Sequence, residues 1–420
     1  MRGILNRNIP TIYFFSKVIF FAVLFLLGLQ NQEGLYAYYR IVLLIIVLFY
    51  ISIKLIDYSK LKLVINKNSI VPFVFSLFFI IYFSIASITL GSHQQKTMYL
   101  LKMFFGQTFP GFLLGILMFW KQDLNYFIDR INIINYLFTL ILIMASVLSN
   151  SQSGFLYNFS GATHLLIGYT VGALMIYNVF VIMELIKKNN KNCFYRCIIS
   201  IVLFISQSYL LIASGSRGAA VSVVAVLLFI ALRKLGFLQT LTASIFVMLI
   251  LFVIINFILS PTSLGVDRFL SLYDFSEGEI NIKAGGNRIK LYLESWQLFL
   301  KNPIFGAGPG EFEYFTSLPE SYSHNIQLEI LSEYGLVGFS LFFIILIKTV
   351  ELSWKILIID KKERLIVYLL LFQFIGLQFS GSFIVSYQFW FLMGGIFAVP
   401  KNYFKVENRR GKLEESIINN

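Results

Sequence analysis

Charge is scarce in this 420-residue chain: Asp, Glu, Lys and Arg make up 13% of it, against 58% hydrophobic residues. Soluble domains carry about 25% charged and roughly 45–50% apolar residues, so a soluble globular protein is excluded. The 45 Phe and 23 Tyr exceed what a water-facing fold can hide, and lipid must be the solvent for much of the surface. Eight Pro and 28 Gly are too few and too scattered for a low-complexity chain. Disorder is expected only at the ends, above all in the tail from Lys401. Cysteine is nearly missing as well. Cys193 and Cys197 stand one helical turn apart in a Lys-rich stretch read as cytoplasmic, which predicts two free thiols rather than a disulfide or a metal site.

What the sequence has instead is long apolar runs. Runs near 20 residues, the length that crosses a bilayer as helix, fall at 11–29, 36–56, 70–90, 100–120, 131–148, 164–186, 196–213, 218–232, 237–259, 335–350, 364–380 and 383–399. They predict an all-α polytopic membrane protein of about twelve transmembrane helices. The first run lacks a small-x-small cleavage site near Gly28-Leu29-Gln30-Asn31 and reads as a retained anchor. With the N-terminus inside, 24 of the 34 Lys and Arg fall in inner segments, which makes both termini cytoplasmic. The formal net charge of +13 then belongs mostly to the cytoplasmic membrane face, and nucleic acid is not an expected partner.

The expected organisation is helices one to nine over 1–259, a large structured extracytoplasmic loop over 260–325, helices ten to twelve over 326–400, and a cytoplasmic tail over 401–420. A loop of that length is uncommon unless it has a function. Within it Asn287 can cap a helix in which Ile289, Leu293, Trp296 and Leu300 form one apolar stripe before Asn302-Pro303 ends it. That helix is expected to lie on the membrane surface.

Reactive groups are few on the outer face. The histidines there are His93, His164 and His324. The first outer loop holds only Glu33, so a D-x-D type metal mechanism has no ligands, and neither metal nor cofactor is expected. No Ser/His/Asp constellation is readable. The Gly306-Ala307-Gly308-Pro309-Gly310 run follows Pro303 rather than a strand and reads as a flexible turn, not a phosphate loop.

Two arginines stand out by position. Arg217 opens a helix behind Ser216, a good N-cap, in Ser214-Gly215-Ser216-Arg217-Gly218, and Arg288 opens the loop helix behind Asn287. A cation at a helix N-terminus opposes the macrodipole by roughly 0.3–1 kcal/mol. An anion held by the amide N–H groups and the guanidinium fork would reverse that sign, and a lipid-headgroup role fits either arginine equally well. His324 precedes a helix that Ser323 or Asn325 can cap; an imidazole, with an ordinary pKa near 6.5, suits proton transfer at physiological pH, although a lone interfacial His is more often structural. Arg40 and Lys102 lie near the outer ends of the second and fourth runs, where charge is costly and usually functional, or else snorkels to the interface.

At these residues the sequence resembles the O-antigen ligase and O-antigen polymerase superfamily of bacterial inner-membrane glycosyltransferases. The matching motifs are Ser214-Gly215-Ser216-Arg217-Gly218-Ala219, then Arg288 through Trp296 to Asn302-Pro303-Ile304-Phe305-Gly306-Ala307-Gly308, then His324-Asn325-x-x-Leu328 through Glu333-Tyr334-Gly335-Leu336-Val337-Gly338. They occur in the family's order and span about the C-terminal half; the first half agrees through its hydropathy. No departure falls at Arg217, Arg288 or His324, whereas Ser260 to Ala284 has no counterpart in these motifs.

The resemblance implies metal-independent glycosyl transfer on the outer face of the plasma membrane, from a glycan linked to a polyprenyl (undecaprenyl) diphosphate onto a sugar hydroxyl. Arg217 and Arg288 would stabilise the departing diphosphate and His324 would be the base, with Arg40 and Lys102 as weaker diphosphate candidates. His164 is a candidate sugar contact, while Glu313, Glu329 and Glu333 read as solvated faces or loop hydrogen-bond partners. The preferred function is a polymerase that joins lipid-linked repeat units into O-antigen or capsule, with a chain-length regulator and a flippase as further candidate partners beside donor, acceptor and membrane lipid. The alternative is a ligase whose acceptor is lipid A core or another surface glycan. A third reading, a lipid-linked oligosaccharide flippase or transporter, is disfavoured by the off-centre outer loop and by the lack of matching interrupted spans in two halves.

Overall fold

The computed structural model describes residues 9–26, 33–58, 67–120, 124–148, 158–159, 162–186, 191–235, 273–274, 279–280, 287–320, 322–359 and 362–398. After a helical stretch at 9–14, the helices in chain order are α1 (Ser16–Leu26), α2 (Glu33–Tyr58), α3 (Lys67–Thr89), α4 (Gln94–Met103), α5 (Phe109–Trp120), α6 (Leu124–Leu148), α7 (His164–Ile186), α8 (Lys191–Ala213) and α9 (Arg217–Leu235). They continue with α10 (Arg288–Lys301), α11 (Phe312–Phe315), α12 (Ile326–Ile358), α13 (Arg364–Gly376) and α14 (Tyr387–Phe397). A π-helical turn over Phe104–Thr108 joins α4 to α5, and two antiparallel pairs of two-residue strands, Asn158–Phe159 with Ala162–Thr163 and Tyr273–Asp274 with Glu279–Ile280, complete the described elements.

The helical, multi-pass expectation holds, and the helix expected over 164–186 coincides with α7 residue for residue. The count of twelve spans is not reached among the described residues. Five helices are long and apolar enough to cross a membrane, over Gln94–Leu117, Tyr126–Met144, His164–Ile186, Cys193–Ala213 and Ile326–Ile358, with shorter apolar helices at Tyr38–Ser52, Val74–Thr89 and Arg364–Gly376. The run at 237–259, nearly all of 260–286 and the tail 401–420 lie outside the described residues.

The last two runs differ from expectation. Helix covers Arg364–Gly376 and Tyr387–Phe397, about 20 and 17 Å at 1.5 Å per residue, each short of a hydrocarbon core of about 30 Å. The non-helical segment 377–386 between them is tied down by its neighbours. The Thr108 hydroxyl donates to Ile384 O (2.6 Å), Trp390 Nε1 to Phe383 O (2.9 Å), and Ile326 N to Leu377 O (3.1 Å). Irregular backbone amid apolar helices is tolerated where protein satisfies it in this way.

Close helix contacts rest on glycine. Gly115 of α5 faces α14 around Gly394, while Gly111 makes room for the Tyr13 ring; a Cβ at Gly115 would stand 2.0 Å from Phe391 O and one at Gly394 2.3 Å from Phe112 O, the close backbone approach that small residues allow between helices. Elsewhere side-chain polarity joins the helices. Asn178 Nδ2 of α7 donates to Gln207 Oε1 of α8 (2.8 Å), Gln207 Nε2 donates to Asn135 Oδ1 and Thr139 Oγ1 of α6 (2.6 and 2.8 Å), and Asn135 Nδ2 donates back to Asn178 Oδ1 (2.8 Å). These three amides are fully buried, and each satisfies another, as low-dielectric surroundings require.

Candidate functional site

The starts of α7, α9 and α12 and the ends of α3 and α13 meet at one end of the bundle, where the motif residues lie. Their placement depends on a break in α12. Gly335 takes φ 61° and ψ −164° inside an otherwise helical run, a backbone state open to glycine at little cost. The hydrogen bonds released there are taken up by the preceding glycine turn: Ala307 N donates to Ser332 O (2.9 Å), Gly308 N to Glu333 O (3.0 Å), Leu336 N to Pro303 O (2.9 Å) and Val337 N to Ile304 O (3.1 Å). The turn expected to be flexible is therefore a packed plug. A Cβ at Gly306 would lie 2.3 Å from the Glu333 carbonyl carbon, and one at Gly308 2.9 Å from the Leu90 backbone. The two halves of the motif series thus complete each other's backbone.

Glu329 and Glu333, expected on solvated faces or as loop partners, are both buried and are loop partners. Glu329 accepts from the Ser382 hydroxyl and from Phe383 N (3.3 Å), fastening the segment 377–386. Glu333 accepts from the backbone N–H groups of Gly310 and Phe312, fastening the glycine turn. Glu313 pairs with Lys96, and Glu311 accepts from Ser92 N (2.6 Å), His93 N (3.0 Å) and His93 Nδ1 (2.9 Å), so His93 anchors the turn before α4 to the loop.

Arg217 opens α9 as expected, yet the expected cap is not made. The Ser216 hydroxyl is buried with no partner among the described residues. Ser214 Oγ takes the Ser216 N–H instead (3.3 Å), because Gly215 at φ 65° turns the chain back on itself. The turn is pressed onto α7: a Cβ at Gly168 would meet Ser216 Cβ at 2.3 Å, and one at Gly218 would meet Tyr169 Oη at 2.8 Å.

Arg288 opens α10, which begins and ends where the sequence predicted, but the Asn287 side chain makes no cap hydrogen bond. The helix buries Leu291, Ser295, Leu298 and Phe299 and leaves Ile289, Leu293, Trp296 and Leu300 exposed. The stripe read from the sequence is therefore the face turned away from the protein, as a lipid-contacting helix requires. Tyr292 Oη of α10 reaches Gln378 O (3.4 Å), whose side-chain Oε1 accepts from Asn325 Nδ2 (3.3 Å), so Gln378 links α10 to the His324 segment.

His324 is the non-glycine residue with positive φ (57°) among the described residues. That conformation costs of order 1–3 kcal/mol and gathers at functional sites. Asn325 holds it in place by capping α12, accepting from Gln327 N and Leu328 N at 3.1 Å each. The imidazole packs on Tyr322 with ring centres 4.3 Å apart. Its Nε2 lies 3.0 Å from Glu320 Oε2, while Nδ1 is buried with no hydrogen-bond partner among the described residues. A carboxylate can only accept, so Nε2 carries a proton towards Glu320 and leaves Nδ1 as the ring nitrogen open to a substrate.

Tyr169 is the hub of this end. It lies within electrostatic reach of Arg288 and of Tyr322, and its hydroxyl donates to Gly376 O (3.1 Å). The Tyr322 hydroxyl in turn bonds Ser380 and accepts from the Gly381 N–H; burial raises its pKa against those two contacts, so it stays a neutral phenol. Tyr169 and Tyr322 wall a cleft of about 190 Å³ together with Gly376–Leu377, Ser380, Gly381, Ser386 and Gln388. Sequence reasoning missed Tyr169, Tyr322 and Gln378, for which no motif signal exists. It also missed Glu320, whose spacing of four before His324 was a readable signal. Arg40 is half-buried with Nη1 2.7 Å from Met103 Sδ, Lys102 is exposed on α4, and His164 is half-buried at the start of α7. Among the described residues no group of three or more His, Cys, Asp and Glu gathers.

A family model described as O-antigen ligase matches residues 200–343, the stretch that holds Arg217, Arg288, His324 and the Gly335 break. The match makes this segment similar to the O-antigen ligase family, the superfamily that the motifs resemble. A search of curated proteins finds no match to the chain.

Proposed function

We propose that the protein is a polymerase that transfers a growing polyprenyl-diphosphate-linked glycan onto the next lipid-linked repeat unit, outside the bacterial plasma membrane and without a metal ion. The observation that carries this reading is the gathering of two uncapped, arginine-bearing helix starts and one strained histidine around Tyr169 and Tyr322. Arg217 and Arg288 hold the diphosphate, adding fork-shaped donors to the N–H groups and the positive dipole ends of α9 and α10. The acceptor hydroxyl attacks the anomeric carbon as the carbon–oxygen bond to the diphosphate breaks, and its proton passes to Nδ1 of His324, whose Nε2–H is kept in place by Glu320. The leaving diphosphate departs as an anion already matched by the two guanidiniums. About twelve spans, cytoplasmic termini and an outward-facing site complete the reading, supported by the Lys and Arg asymmetry of the sequence.

The ligase alternative is favoured by the description of the matching family. A deletion strain separates the two: surface glycan reduced to single repeats supports the polymerase, and lipid-linked polymer trapped inside supports the ligase. A cysteine placed at Ser276 tests the orientation; labelling only after the plasma membrane is permeabilised would put the site in the wrong compartment.

A further inference from the structure

The cleft walled by Tyr169 and Tyr322 carries a polar side chain that the transfer reaction has not used. Gln373 sits on α13 one turn before the helix ends at Gly376, in a stretch that is apolar from Leu365 onward apart from Tyr368. It is 8% exposed and lines the cleft. The other polar groups of the wall are engaged inside the protein. Tyr169 Oη donates to Gly376 O (3.1 Å), Ser386 Oγ to Ser382 O (2.9 Å) and Gln388 Nε2 to Phe14 O (3.0 Å), and the Tyr322 hydroxyl is held by Ser380 and Gly381. Lys17, the one charged side chain on the wall among the described residues, lies over the Tyr387 ring, 5.3 Å from its centroid. The Gln373 amide is answered by no hydrogen-bond partner among the described residues, neither at its donor nor at its acceptor. A ligand that supplies both removes the cost of burying it.

The cleft also states what kind of ligand. Its volume of about 190 Å³ equals about six waters at about 30 Å³ each, which is room for one sugar ring with a substituent and too little for a polyprenyl chain. Beside Gln373 the wall is apolar, with Leu165, Leu166 and Leu377. A carboxamide presents N–H and C=O side by side, and the group that meets both at once is another amide. An acetamido group does so and turns its methyl to the leucines, whereas a sugar hydroxyl in the same place leaves them facing a polar atom. The cleft reaches the reacting end of the site through Tyr322, on whose ring His324 packs with centres 4.3 Å apart.

Resting on the transfer reaction above, we infer that this cleft is the subsite for a 2-acetamido sugar of the acceptor glycan and that Gln373 is the side chain that selects it. The sugar ring lies against Tyr322 on the side away from the two arginine-bearing helix starts, so the base meets the acceptor while Arg217 and Arg288 keep the donor diphosphate.

Titration by ligand-observed NMR on the purified full chain reads this without any turnover. The probes are the methyl β-glycosides of N-acetylglucosamine and N-acetylgalactosamine beside those of glucose and galactose. At least one acetamido glycoside is expected to bind wild type about tenfold more tightly than its hydroxyl parent, as a pair of amide hydrogen bonds would give. Gln373→Met keeps the length and loses both hydrogen bonds, and it should bind the two alike at unchanged detergent Tm. Gln373→Glu, polar but only an acceptor, should show a weaker preference and decides the matter if the Met variant loses stability. No preference in wild type, or an undiminished preference in either variant, would overturn the inference. In a transfer assay Gln373→Met should raise KM for an acetamido-bearing acceptor and leave donor affinity unchanged; weakened donor binding would put the sugar on the donor and also overturn it. Selective binding by a wild type that transfers no glycosyl group would sink the reaction while leaving the subsite standing, and transfer without selective binding would do the reverse.

Discussion

Two buried polar centres in this bundle follow opposite rules. In the Asn135–Asn178–Gln207 cluster each amide is answered by another amide or by Thr139, within 2.6–2.8 Å. Around His324 the backbone is strained, Nδ1 has no partner among the described residues, and Ser216 nearby in the motif series is unanswered as well. A polar group inside a membrane protein is retained either because it joins helices or because it awaits a ligand. Satisfaction within the protein tells these apart, since an unanswered buried group costs about 1–3 kcal/mol.

The contrast predicts different failures on mutation. The largest effect is expected at His324. His324→Gln, like His324→Ala, should lower turnover by about 10²–10⁴-fold with near-normal donor binding, measured on purified protein with polyprenyl-diphosphate donor. Substantial turnover by the Gln variant would move His324 into the structural class. Next, Arg217→Lys and Arg288→Lys should each lose about tenfold to a hundredfold in transfer while expression holds, because an ammonium cannot grip two phosphate oxygens. Wild-type rates in both would show that positive potential alone suffices.

Gly335→Ala attacks both properties together. It forces a side chain into positive φ, with its Cβ 2.4 Å from Ile304 O, and should lower stability by about 1–3 kcal/mol along with activity, read as a drop in detergent Tm. An unchanged Tm would mean that the plug adapts. The smallest effect is expected from Asn178→Leu, about 1–2 kcal/mol of stability with turnover per folded molecule unchanged. Loss of turnover at full stability would give the amide cluster a role beyond joining helices.

Legibility in the sequence followed the kind of signal involved. The α10 boundaries were readable because Asn287 and Asn302-Pro303 bracket the apolar period, although Asn287 makes no cap hydrogen bond, and the exposed stripe followed from period alone. The start of α12 was readable from Asn325, one of two caps the sequence offered, but the apolar run began only at 335 because Glu329 and Glu333 look solvent-bound, and only tertiary contacts show that they serve loops. The interruption at 377–386 showed in the sequence only as the short gap between the runs 364–380 and 383–399; its full extent was hidden because apolar residues flank Ser380-Gly381-Ser382 on both sides. Arg217, Arg288 and His324 were singled out by position at helix starts, whereas Tyr169 and Tyr322 came to light only through packing.

The order of the plug and the break along the chain bears on biogenesis. Pro303–Gly308, which supplies the missing backbone partners, is synthesised before Gly335, which needs them. When the interrupted helix leaves the ribosome, its complement has already emerged and can be waiting at the bilayer, so bare peptide groups at the break need never face hydrocarbon unpaired. A chain rearranged to make 326–358 before 287–320 would lose that protection, and its insertion would depend on chaperoning of the exposed break.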